Sequence, residues 1–371
     1  MSLSSLYMKT STLGGEYALF FVNRMQMLYL VLLMPIYLID PYMIWIILAV
    51  GVASHFNLVI FSKWFSSDHS RNGYQGFVQL FGKRPIRFFT VIGLLVIVLK
   101  VTVFVIGYVE IVQQFMFPSI NTNWLIIVLF LCSCYLAAKG MENTLRFAVI
   151  VFLSLVWVIF LFFFFYFPPI ASLRDLYPLF PSEWSLHSWK GVLFVWSSLS
   201  GPEYLIFLAP WFAPQQTFKK HLLYANALSV LEYIILFIAS LFFFGAHYLE
   251  KTNFPIVNML RYIQSPVFER IDLILLTFYI FHYAFVLAIF LLLFYGAIRI
   301  IGNKVHKQPT PIGFVICSLF ILACMILVNE GIWQDEAKQN LWLNTQLWVG
   351  ALTYLCIPTI LFVAGKRKGC I

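Results

Sequence analysis

Three features of the sequence predict an all-α polytopic membrane protein. Hydrophobic residues fill 62% of its 371 positions, only 11% are charged, and the mean hydropathy is +0.89. Average globular domains carry about 25% charged residues. Apolar runs of about 20 residues, the length that crosses hydrocarbon as a helix, recur along the whole chain. Lys and Arg concentrate in alternate connections between those runs.

Ten runs are predicted as transmembrane helices, at roughly 15–39, 42–62, 87–112, 123–138, 147–168, 191–212, 222–245, 270–298, 312–329 and 344–364. The first begins near Tyr17 and is long enough to span, so it reads as a helix and not as a cleaved signal. Asp40-Pro41 is a tight hairpin into the second. The stretch 63–86 carries Trp64, Phe65, Phe77 and Phe81 in a pattern that suits an amphipathic surface segment. The fourth run is short and the eighth long. No connection is large enough to fold alone, so residues 1–371 form a single membrane domain.

Of the 24 Lys and Arg, sixteen fall in segments on the N-terminal side of the membrane, six on the other side, and Arg24 and Lys100 inside spans. The positive-inside rule therefore places both the N- and C-termini in the cytoplasm. It also accounts for the net charge of +9 without a nucleic-acid partner, since the basic residues are dispersed over short loops. Trp124, Trp184, Trp189 and Trp342 near outer span ends read as interfacial anchors. The six cysteines lie in apolar runs or the basic tail, which argues against a disulfide framework, and no spacing suits a metal. The chain carries no phosphate loop, dinucleotide fingerprint, metalloprotease helix or nucleophile elbow, so neither catalysis nor a cofactor is predicted.

Four charges lie within spans: Arg24 in the first, Lys100 in the third, Glu203 in the sixth and Glu232 in the seventh. A charge at that depth costs about 2.5–3.5 kcal/mol on insertion scales and should face the bundle interior or a partner. Arg24 and Glu203 lie at similar depth by residue counting, so an Arg24–Glu203 pair is the first expectation. Lys100 has Gly93 and Gly107 one heptad to either side, a face that suggests close helix packing. It is expected to bind a ligand carboxylate, to sense protonation, or to bridge to Glu232. In the eighth span Asp272, Tyr279, His282 and Tyr283 share a face. His282 reads more readily as bonded to a neighbouring helix than as a ligand group.

Trp196-Ser197-Ser198-Leu199-Ser200-Gly201-Pro202-Glu203-Tyr204 interrupts the sixth run. Such a sequence makes a poor continuous helix, and non-helical backbone survives at bilayer depth only inside protein or along a cavity. Ser200 or Gly201 reads as the cap of a new half-helix, with Pro202 at its first position and an acid next. Discontinuous helices of this kind build the central sites of many transporters. The candidate ligand-binding residues are Ser197, Ser198, Ser200, Gly201, Glu203, Lys100, Asn23, Gln26 and Tyr279. The candidate ion-pair or coupling residues are Arg24, Glu203, Lys100, Glu232 and Asp272. The plainer alternative is a kinked helix whose serines bond back to their own carbonyls.

Several motifs in this order resemble the spore germination permeases, the B subunits of nutrient germinant receptors, which are related to amino acid–polyamine–organocation transporters. They are Leu80-Phe81-Gly82-Lys83, Ala138-Lys139-Gly140-Met141-Glu142 with Arg146, Leu176-Tyr177-Pro178-Leu179, Ser200-Gly201-Pro202-Glu203-Tyr204-Leu205 and Phe268-Glu269-Arg270-Ile271-Asp272. The resemblance implies a transporter-like fold of inverted five-helix repeats, with the sixth helix broken and the first a candidate for a matching break. It implies a receptor subunit of the spore inner membrane that binds a small nutrient such as an amino acid. It also implies work with a membrane-anchored A-type subunit and a C-type lipoprotein subunit to trigger ion release. Gly201, Glu203 and Asp272 carry over by position. The first span departs from the family pattern, with Asn23-Arg24-Met25-Gln26-Met27 where glycines are usual. Two other functions stay open: a proton- or sodium-coupled permease for amino acids or amines, coupled through Lys100 or Glu203, and a non-binding scaffold of a germination complex.

Overall fold

The computed structural model describes residues 6–180, 186–212, 218–263 and 270–368. Trp184, Phe268, Glu269 and Cys370 lie outside the described residues. The described chain is built from helices, and eight of them are long and apolar enough to cross a membrane. These are Pro41–Phe65, Lys83–Phe115, Met141–Tyr166, Ser188–Trp211, Phe218–Leu249, Ile271–Ile301, Pro311–Trp333 and Glu336–Arg367. A ninth crossing is the bent pair Gly15–Gln26 and Val31–Tyr37, with 46° between its halves. The fourth predicted run forms Thr122–Ala138, whose 17 residues rise about 26 Å, near the lower limit for a span. In chain order these are spans one to ten, with the bent pair first and Thr122–Ala138 fourth. The protein is a multi-pass integral membrane protein.

Its surface follows from its solvent. Phe88, Leu95, Leu131, Phe160, Ile316 and Leu327 are all more than half exposed on the flanks of the bundle. Water does not tolerate so broad an apolar face; lipid does. The interior carries the polar side chains instead. Asn23, Arg24, Gln26, Ser54, Lys100, Glu203, Asn226, Glu232, His282 and Gln346 are each at most 3% exposed.

The expected alternation of the spans is visible in the contacts between loops. On one face the N-terminal arm runs between three spans as an extended strap. Leu6 O accepts from Met141 N at 2.8 Å, Tyr7 Oη donates to Leu292 O at 2.6 Å, and Lys9 Nζ donates to Pro210 O at 2.7 Å. Leu13 pairs with Phe212 in an isolated parallel bridge. The surface helices Asp68–Arg71 and Tyr74–Phe81 lie on this face, where Phe77 stacks on Trp64 at 5.1 Å and Gln79 O accepts from Lys368. On the opposite face Arg270 reaches Phe115 O at 2.9 Å and Trp45 reaches Leu179 O at 3.0 Å.

Both breaks are real. The sixth span is helical over Leu186–Ser198, irregular at Leu199–Gly201, and resumes as a tight turn at Pro202–Tyr204 and a helix at Leu205–Leu208. Gly201 sits at φ 134°, a backbone conformation that side chains disfavour. A Cβ there would also stand 2.7 Å from Met25 Cβ. The first span breaks at Met27 (φ −101°, ψ 51°) and Leu28 (φ −90°, ψ −169°), angles open to any residue, and so it unwinds without glycine. One expectation fails and another is incomplete. Gly93 has nothing within 4 Å of an added Cβ, so it marks no close helix contact. Trp342 is more than an interfacial anchor, because its Nε1 donates to Thr102 Oγ1 at 3.1 Å and ties the tenth span to the third.

Candidate functional site

The two breaks meet in the middle of the bundle, and side chains from the first and seventh spans satisfy the backbone groups they release. Tyr233 Oη donates to Gln26 O at the first break and lies 3.0 Å from Ser198 O at the second. Gln26 Nε2 reaches across to Leu199 O at 3.0 Å and to Asn226 Oδ1 at 3.3 Å. Asn226 in turn accepts from Ser54 Oγ at 2.6 Å and donates to Gly51 O at 3.2 Å. Buried carbonyls left without donors cost several kcal/mol in hydrocarbon, so this web is what lets the helices stay open.

The charges pair differently from the expectation. Arg24 Nη2 meets Glu232 Oε1 at 3.0 Å, and Lys100 Nζ meets Glu203 Oε1 at 3.1 Å. Neither Arg24–Glu203 nor Lys100–Glu232 forms. The reason is rotation about the helix axis, which residue depth does not report. Asn23 Nδ2 donates to Ser229 Oγ at 3.0 Å and to Glu232 Oε2 at 3.3 Å, so the polar face of the first span is turned to the seventh. His282 Nε2 lies 2.8 Å from Arg24 O and, against a carbonyl, must be the donor. The guanidinium lies over Phe152 at 5.3 Å.

Gly201 is the N-cap of the second half-helix, and the Glu203 carboxylate folds back onto it. Its Oε2 accepts from Gly201 N at 2.5 Å, while Oε1 takes Lys100 and, at 3.4 Å, Thr353 Oγ1. Lys100 Nζ also donates to Ser200 Oγ at 3.1 Å and stands 5.0 Å from the centre of the Tyr204 ring. The positive end of the half-helix is thus already filled by a neutralised carboxylate. A ligand carboxylate would have to displace it.

The side of the break that faces the tenth span is different. Gln346 is fully buried, and neither its Oε1 nor its Nε2 has a hydrogen-bond partner among the described residues. The same holds for Ser197 Oγ and Ser198 Oγ. An added Cβ on Gly350 would lie 2.5 Å from Ser197 Oγ, 3.3 Å from Ser200 Oγ and 3.6 Å from Gln346 Oε1, so these groups converge on that glycine. Hydroxyls able to donate or accept, and an amide with both functions free, are what a small polar molecule needs.

The eighth-span face is also accounted for. Tyr279, His282 and Tyr283 are buried with their rings within 6.3 Å of one another, and Tyr283 stacks on Tyr108 at 4.2 Å. Asp272 does not join the centre. Its carboxylate is engaged by Arg270 at 2.6 Å where the eighth span begins.

The sequence reading passed over Tyr233, Asn226, Ser54 and Gln346. Each belongs to a polar stripe at helical spacing: Gly51-Ser54-Asn57 in the second span, Asn226-Ser229-Glu232/Tyr233 in the seventh, and Gln346-Gly350-Thr353/Tyr354 in the tenth. The signal was there in uncharged residues.

A ten-segment bundle with paired breaks and charges buried between them defines the class: a membrane protein of transporter fold. Two structures of the manganese transporter from Eremococcus coleocola share that fold. One is in complex with an aromatic bis-isothiourea substituted compound, the other is a mutant. They cover 98% of this chain and 83% of theirs at 12% identity, with TM-scores of 0.57 and 0.58. The chain belongs to the spore germination protein family, whose model matches residues 18–331. It is 30% identical over 252 residues to spore germination protein GerQB of Bacillus cereus; the match takes in 67% of this chain and 65% of that relative.

Proposed function

We propose that this chain is the B-type subunit of a nutrient germinant receptor in the inner membrane of the endospore, and that it binds a small polar nutrient at the break of the sixth span. The observation that carries the reading is the group of buried, unpartnered polar atoms of Ser197, Ser198 and Gln346 beside the Lys100–Glu203 pair. A purely structural bundle gains nothing from them, since each unsatisfied buried group costs about 1–3 kcal/mol. A guest that reached these atoms would regain that cost and hold the two half-helices, the third span and the tenth in one arrangement. Binding would then be relayed to an A-type subunit and a C-type lipoprotein subunit, as membership of the family suggests.

The test is germination itself, followed as loss of optical density of spores against a panel of single nutrients. Gln346→Leu and Ser198→Leu should raise the concentration needed of one nutrient by tenfold or more while the amount of the chain in the membrane stays unchanged. An unaltered response, or one lost only together with the protein, would return these residues to a structural role.

The transporter fold favours a second reading, a permease that couples amino acid or amine movement to the Lys100–Glu203 pair. Uptake of labelled amino acid into proteoliposomes, abolished by Lys100→Ala, separates it from the first.

A further inference from the structure

A polar cavity lies away from the breaks, on the face opposite the N-terminal arm, between the outer ends of the third and fourth spans and the turn that joins the ninth to the tenth. Its volume is about 270 Å³. Glu110, Thr122, Asn329, Trp333, Glu336 and Gln339 line it. The ninth span ends there in a π-helical turn, Asn329–Trp333, of a kind often found where a helix is adapted to a ligand.

The buried hydrogen-bonding groups of this cavity are unevenly matched. Asn329 is 2% exposed and spends both amide hydrogens, on Thr122 Oγ1 and on Asn123 Oδ1, each at 2.8 Å. Its Oδ1 is buried and has no partner among the described residues. Trp333 Nε1 at 2.9 Å and Gln339 Nε2 at 3.1 Å both donate to Glu110 Oε2. The donors of Asn329, Trp333 and Gln339 are therefore engaged, and acceptors are left over: Asn329 Oδ1, the second oxygen of Glu110 and the exposed carboxylate of Glu336. No Lys or Arg lines the cavity, and nearby Lys338 is paired with Asp335 at 3.2 Å. Such a wall suits a guest that brings several hydrogens and a positive charge.

We infer that this cavity binds a small primary ammonium compound on the outer face of the protein. Two carboxylates, an amide oxygen and an indole wall match an –NH3⁺ group with a short apolar or polar body, and the volume admits a molecule of amino-acid size. A metal ion is the poorer match, because no group of three His, Cys, Asp or Glu side chains is placed to hold one among the described residues. The site is separate from the sixth-span break and does not depend on the reading given to it.

Titration calorimetry on the full-length chain in nanodiscs tests this, with n-propylammonium chloride as the probe and calcium chloride as the comparison. Saturable binding of the ammonium is expected, weakened at least tenfold by Glu110→Gln and about threefold or more by Glu336→Gln. Glu336 is exposed, so its variant keeps the fold whatever happens to the other. Thr359→Val, exposed near the opposite end of the tenth span and in neither site, should leave the titration unchanged. Absence of saturable heat, binding indifferent to both Glu variants, or a response to calcium alone would overturn the assignment.

Discussion

Lys100 and Glu203 are each 1% exposed at the side chain, so their pairing is an obligation and not an ornament. Two charges taken out of water recover little net stability when they meet, but removing one of them strands the other. Glu203→Gln should therefore destabilise the purified protein by about 3–5 kcal/mol, read as a lowered midpoint of thermal unfolding in detergent. Adding Lys100→Met to that variant should restore much of the loss, because the stranded ammonium is gone. If the double variant is no more stable than Glu203→Gln alone, Lys100 has no unmet charge to relieve and the pair is not the unit described here. The neighbouring Gly201 shows the same economy at backbone level: its positive φ lets Glu203 Oε2 fold back onto its own N–H.

Among the elements, the N-terminal arm has the clearest mechanical role. Glu142, at the start of the fifth span, accepts from Thr10 N at 2.7 Å, from Ser11 Oγ at 2.8 Å, from Thr10 Oγ1 at 2.9 Å and from Arg146 Nη2 at 2.8 Å. One carboxylate thus pins the arm against the bundle, with Tyr7 stacked on Tyr295 at 6.2 Å as a second fixing point. Charge-assisted bonds of this kind are about twice as strong as neutral ones. Glu142→Ala should release the arm, and trypsin cleavage after Lys9, whose Nζ is held by Pro210 O, should accelerate several-fold in the native protein. A cleavage rate equal to that of the unaltered chain would show that the arm is held elsewhere.

At the scale of the molecule, the loops that contact one another sort into two faces, and the basic residues sort with them. A cysteine placed at Lys251 should react with a membrane-impermeant maleimide in intact cells, and one placed at Lys304 only after permeabilisation. Equal labelling at both positions would refute the alternation of the ten segments. The same two-faced arrangement sets the central site between the breaks of the first and sixth spans, five segments apart. It also sets the ammonium cavity nearer the outer surface.

How much of this was legible depends on which force decides each feature. Hydrocarbon selects apolar runs of fixed length, so the ten segments and their orientation could be read from composition and the distribution of Lys and Arg. The break of the sixth span was legible too, since Ser200-Gly201-Pro202-Glu203 is locally incompatible with a continuous helix. The break of the first span was not, because Met27 and Leu28 adopt ordinary backbone angles and the carbonyl beside them is satisfied by Tyr233 from the seventh span. Nor were the partners of the charges. Depth along a helix follows from counting residues, but the direction a side chain takes around the axis is fixed by packing of whole spans. The sequence by itself determined that the protein lies in the membrane, where its sixth helix fails and which charges are buried. Only the tertiary structure decided that Arg24 meets Glu232, that Lys100 meets Glu203, and that Gln346 is left unpartnered beside the break, because each outcome is set by contacts between segments far apart in the chain.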